Sequence, residues 1–185
     1  MKHLICQLFV VAGLTTGVSL NTFADSPPGQ VDFGKLAAPG KGGEFVEIQV
    51  GSNLLSLAAQ LVEKQETNAA KLLRSVQLIQ INVVGLTDEN RDELQKHVQQ
   101  IRHDLSAKGW DRVVTVQQKN GEDVGVYTKT RGGEALEGLA VTVIDPKKEV
   151  VLVNLVGDIK PEQVAALGEK LNLETLKKVG AALKK

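Results

Sequence analysis

The sequence predicts an α+β domain: a single two-layer unit with a mixed, mostly antiparallel sheet of about six strands and helices packed on one face. Three observations carry that prediction. Val46, Ile48 and Val50 alternate with Glu47 and Gln49, the period-two pattern of a half-buried strand. Leu94, Val98, Ile101 and Leu105 recur at steps of four, three and four, the stripe of an amphipathic helix. Asn120-Gly121 and Asp145-Pro146 each separate two apolar runs, which marks hairpins in the second half of the chain.

Residues 1–24 read as a cleavable export signal. Lys2 and His3 open it, Leu4 to Leu14 is apolar except for Gln7, and Thr22-Phe23-Ala24 sets small residues three and one positions before a cut ahead of Asp25. The run falls short of the about 20 apolar residues of a spanning helix, and Thr15, Thr16, Ser19 and Asn21 polarise its second half. No transmembrane anchor is expected after cleavage. Cys6, the sole cysteine, sits at the start of the run, where it cannot serve as a lipid-anchored N-terminus. Its loss leaves a mature chain with no disulfide, thiolate nucleophile or sulfur ligand. The expected compartment is periplasmic or extracellular.

Residues 25–43 hold Pro27, Pro28, Gly29, Pro39, Gly40, Gly42 and Gly43 and read as a flexible leader, with Val31 to Leu36 as its one apolar patch, either docked on the body or free. The folded domain is expected over 44–185. Its first strand, around Val46 to Val50, leads into a helix capped by Ser52 or Asn53, with Leu54, Leu55, Ala58, Leu61 and Val62 as the buried stripe. A short helix from about Thr67 uses Ala69, Leu72 and Leu73; Ile79, Ile81 and Val83 then form a second strand. Thr87 caps the longest helix, and Asp88, Glu89, Asp92 and Glu93 complement its positive end, while Gly109 stops it. Strands follow at 112–118, 124–130, 139–144 and 149–156, the last apolar on both faces from Val150 to Val156 except at Asn154, as an interior strand should be. Pro161 opens a helix through Leu167, and Asn172 caps a last helix through Leu183.

Composition excludes several functions. The chain carries 22 basic and 22 acidic side chains, and loss of Lys2 with the signal leaves 21 against 22. A nucleic-acid partner would require a basic surface, so none is expected. Only Phe33, Phe45, Trp110 and Tyr127 remain as aromatics, too few for stacking platforms.

Several segments together resemble a bacterial family of unknown function, DUF4252: Val31-Asp32-Phe33-Gly34 ahead of Glu44-Phe45-Val46-Glu47, then Lys108-Gly109-Trp110, then Gly138-Leu139 through Val153-Asn154-Leu155-Val156-Gly157-Asp158-Ile159. The resemblance spans most of residues 31–180 and departs at Lys160, where a small or acidic cap would suit the next helix better. It implies a small exported α+β protein and supplies no catalytic residues.

The residues themselves name no reaction. His97 and His103 are six apart on one helix, whereas two ligands sharing a helix face need a spacing of three or four. The four acids after Thr87 lack the alternation and glycine of a calcium loop. There is no nucleophile elbow, phosphate loop or zinc-protease motif. No catalytic residue, cofactor or metal is therefore assigned. In the last predicted helix, Leu173, Leu176, Val179 and Leu183 lie opposite Lys177, Lys178, Lys184 and Lys185, the pattern of a membrane-surface segment or, favoured by the shortness of the stripe, of a helix docked on a core.

Strand parity singles out one surface. With Val46, Ile81, Val114, Val126, Val141 and Val153 toward the helices, the other face carries Gln49, Gln80, Asn82, Thr115, Gln117, Tyr127, Thr142 and Asn154. This reads as a solvated sheet face and as the candidate interaction surface, for an envelope protein or for self-association. The functional expectation is an exported, non-enzymatic binding module. The alternatives are a hydrolase-like enzyme with an unrecognised site and a homo-oligomeric structural module.

Overall fold

The computed structural model describes residues 26–36, 40, 43–132, 135–160 and 163. The segment expected to be an export signal and, apart from residue 163, the helices predicted from Pro161 onward lie outside these residues.

The chain runs β1 (Phe45–Gly51), α1 (Ser52–Val62), α2 (Thr67–Ser75), β2 (Val76–Gly85), α3 (Arg91–Ala107), β3 (Asp111–Gln117), β4 (Asp123–Arg131), β5 (Ala135–Asp145) and β6 (Glu149–Ile159). The six strands form one sheet in the order β1-β2-β6-β5-β4-β3. The α+β class is as predicted, but every strand pairing is antiparallel, so the sheet is not mixed. The reason lies in the two early connections. The α1–α2 pair is a helical hairpin, so it returns the chain to lie antiparallel beside β1. Helix α3 carries the chain from β2 to the far edge of the sheet, so β2 and β3 run parallel without meeting.

Helices occupy both faces, which corrects the two-layer arrangement. Ile81, Val153, Val141, Val126 and Val114 share one face by register. There Val126 and Val141 join Leu55 of α1 and Leu72 of α2 in one apolar cluster. The opposite face carries Tyr127, Ala140 and Leu152, and Leu94, Val98, Ile101 and Leu105 of α3 close over them. The α3 stripe is thus the one predicted, and all four of its residues are buried.

Of the two readings of the leader's apolar patch, the docked one holds: Val31 and Phe33 belong to the α3-side core, and Phe33 is only 2% exposed. Residues 29–36 therefore act as part of the second covering layer.

Helix α1 departs from its predicted stripe. Leu55 and Ala59 are buried, but Leu54, Leu57 and Leu61 stand 57%, 52% and 74% exposed. Its N-cap is Gly51, with no side-chain cap from Ser52 or Asn53. Helix α3 begins at Arg91, behind a reciprocal turn in which the Thr87 amide donates to Asn90 Oδ1 at 2.7 Å and the Asn90 amide to Thr87 Oγ1 at 3.3 Å. Gly109, at φ 75°, ends α3 as expected.

A candidate binding groove on the polar sheet face

The seven predicted surface residues share the α3-facing side of the sheet, and the structure divides them into three groups. Tyr127, Thr142 and Asn154 are buried beneath the covering layer. Thr115 and Gln117 are exposed on edge strand β3. Gln80 and Asn82, on β2, floor a groove beside the docked segment.

Asn154 fixes that segment. Its Oδ1 accepts from the Val31 amide at 2.9 Å, and its Nδ2 donates to the carbonyls of Gly29 at 3.0 Å and Leu139 at 3.2 Å. The one polar residue between Val150 and Val156 of β6 thus satisfies an incoming backbone. Close approach is possible because two glycines meet: a Cβ on Gly138 would lie 2.5 Å from the Gly29 carbonyl oxygen and 2.5 Å from the Trp110 ring. Farther along, His97 Nε2 lies 2.7 Å from the Phe33 carbonyl oxygen, which sets that nitrogen as the donor.

Thr142 serves a second tie. Arg102 of α3 reaches into the sheet face, where its Nε donates to Thr142 Oγ1 at 2.9 Å and its Nη1 to Asp123 Oδ2 at 2.7 Å. Gly125 leaves the slot, since a Cβ there would stand 3.0 Å from Thr142 Oγ1 and 3.3 Å from Arg102 Nε. The other Asp123 oxygen, Oδ1, is buried and has no partner. It borders a cleft of about 600 Å³ between the outer side of α3 and the strand turns. Ile144 is the sole apolar side chain of that cleft; the rest of its wall is polar helix surface such as Gln99 and His103.

The groove over β1 and β2 is different in kind. It measures about 500 Å³ and lies between Gly34, Lys35 and Leu36 of the docked segment and Phe45, Glu47, Gln80 and Asn82 of the sheet. Leu36 and Phe45 give apolar walls that continue into the core. Asn82 is buried, and its Oδ1 has no hydrogen-bond partner. A groove with apolar walls on fixed backbone and a few convergent polar atoms has the make-up of a ligand site. Sequence parity identified Gln80 and Asn82. It missed Leu36 and Phe45, whose part depends on where the leader docks.

Reactive chemistry gains no geometry here. His97 is tied to backbone, and His103 is exposed, its Nδ1 3.5 Å from Asp104. Among the described residues, no cluster of three or more His, Cys, Asp or Glu is placed to hold a metal, and no helix is long and apolar enough to cross a membrane.

These features define a class: a small α+β domain whose antiparallel sheet is covered on one side by a helical hairpin and on the other by a helix and the chain's own leader. The chain belongs to the family described as Domain of unknown function (DUF4252), which matches residues 41–167. Comparisons with curated proteins and with solved structures find no match.

Proposed function

We propose that this protein is a non-enzymatic binding module of the cell envelope, periplasmic or secreted after cleavage behind Ala24, and that the β1–β2 groove receives its partner. The observation that supports the reading is the buried, unpaired Oδ1 of Asn82 in that groove. A buried acceptor without a partner costs about 1–3 kcal/mol, so a fold that keeps one in the floor of a groove has reason to satisfy it when a partner fills that groove. The fitting partner is a segment of an envelope protein that offers an N–H or O–H donor beside an apolar side chain. The donor meets Asn82, and the side chain meets Leu36 and Phe45.

A photo-crosslinking residue at position 80 tests this in growing cells. The expected result is one discrete adduct in the envelope fraction, lost when Asn82→Leu is added. Absence of any adduct, or one that survives Asn82→Leu, overturns the groove assignment. N-terminal sequencing of the native protein tests export separately: Asp25 is expected, and Met1 overturns it.

A further inference from the structure

The two edges of the sheet are built differently. Edge strand β3 opens with Asp111 and Arg112, and its pairing with β4 is broken by a register shift between Arg112 and Val114. Charges and a bulge are the usual means of keeping an edge from pairing. Edge strand β1 has neither: it pairs with β2 without a register shift from Phe45 to Gly51, and its only charge is Glu47. Ile48 at its centre is 43% exposed.

The exposed leucines of α1 lie on the same side. Helix α2 packs on β2 and β6, and α1 on β1 and β2, so the flank of α1 away from α2 points past the β1 edge. Leu54, Leu57 and Leu61, spaced three and four apart, form a stripe outside the buried Leu55–Ala59 line. Ile48 shares a sheet face with Val50, which packs against the α1–α2 core.

From this we infer that β1 is a homodimer strand: two copies pair antiparallel about Ile48, joining their sheets edge to edge and bringing their α1 leucine stripes together. The strand is self-complementary about that point. The Gly85 amide donates to the Glu44 carbonyl, which makes the even-numbered residues of β1 the ones whose backbone bonds to β2. The odd-numbered residues therefore offer their N–H and C=O groups outward. Pairing centred on Ile48 matches Glu47 with Gln49 of the second copy, both outward-bonding, and Val46 with Val50. It uses the whole strand and sets no like charges opposite one another. Shifting the centre to Glu47 would oppose two carboxylates, and shifting it to Gln49 would run the strand ends into α1. An isologous contact of this kind closes on itself as a twofold dimer. It also brings Gln49 of the second copy beside Glu47 at the rim of each groove, although the pairing does not depend on the groove binding anything.

The test uses the full chain in a Cys6→Ser background. Ile48 faces itself as a non-hydrogen-bonded pair, with Cα atoms about 4.5 Å apart, inside the range a disulfide spans. Ile48→Cys is expected to give a covalent dimer under mild oxidation, at least ten-fold faster than Glu47→Cys, whose copies lie diagonally apart. Sedimentation velocity should find a dimer that Ile48→Lys and, separately, Leu57→Glu weaken at least ten-fold, with the far-ultraviolet circular dichroism and the urea unfolding transition unchanged as the check on folding. A monomer at all concentrations overturns the inference. Equal crosslinking from both positions, or a dimer untouched by both charged variants, overturns it as well.

Discussion

Asn82 and Asn154 lie on the same face of neighbouring strands, both buried, and they act in opposite senses. Asn154 uses its amide fully, on Val31, Gly29 and Leu139. Truncation by Asn154→Ala strands an N–H and two carbonyls, and should cost about 3 kcal/mol in urea unfolding while exchange at the Val31 amide rises. Asn82 leaves its Oδ1 unpaired. Asn82→Leu removes a desolvated acceptor at similar volume and should stabilise the fold by about 1 kcal/mol, read as a higher unfolding midpoint. The predicted gain in stability, set against the loss of crosslinking, separates a binding residue from a structural one. Both asparagines were legible in the sequence as members of one polar face, because strand parity is strict. Their difference was not, since parity tells which face a side chain takes and is silent on what covers that face. The covering backbone comes from Gly29 to Val31, more than a hundred residues away.

Among the elements, legibility followed how clearly apolar and polar positions separate. Helix α3 has one clean stripe, and the structure buries it. Helix α1 has apolar residues over more than half its circumference, as in Leu54, Leu55, Leu57, Ala58, Ala59, Leu61 and Val62, so periodicity alone could not choose which part of that broad arc faces inward. The α1–α2 hairpin is closed at its exposed end by Arg74, which donates to Glu63 through Nη1 at 3.0 Å and Nη2 at 2.7 Å. Those hydrogen bonds first, and the guanidinium charge second, hold the Glu63 carboxyl below the ordinary glutamate range. The sign follows from linkage: the tie is complete above the unfolded carboxyl's pKa and is lost as pH falls through the lower folded value. A side-chain NMR titration should find the Glu63 midpoint below that of an isolated glutamate, and Arg74→Met should return it to the ordinary value. Both groups are open to solvent, so salt should shrink the difference. An unshifted midpoint at low salt would mean that the pair does not hold in solution.

At the scale of the molecule, the leader decides whether the α3-side core is complete. Residues 29–33 lie against Trp110 and the sheet, and Phe33 is buried with Leu94, Val98 and Tyr127 in one cluster. The family match begins only at residue 41, so the docked segment precedes it in the chain. A segment that merely rests on a finished domain can be released with little effect on the rest. A segment that supplies core side chains cannot, because its loss opens a cavity and leaves Asn154 with nothing to bond. Phe33→Ala distinguishes the two. A fully buried Phe costs about 3–5 kcal/mol to truncate when its site is part of a close-packed core. The expected result is a single unfolding transition with its midpoint lowered and its unfolding free energy reduced by that amount, followed equally by far-ultraviolet circular dichroism and by Trp110 fluorescence. Trp110 is the chain's sole tryptophan and sits at the leader contact, so its emission reports the packing there. A red-shifted Trp110 emission in Phe33→Ala with an unchanged global midpoint would show a detachable strap instead. The groove over β1 and β2, which has Gly34 to Leu36 as one wall, would then be a site that opens and closes. A lowered midpoint with coincident probes makes that wall as permanent as the sheet, and the groove a preformed one.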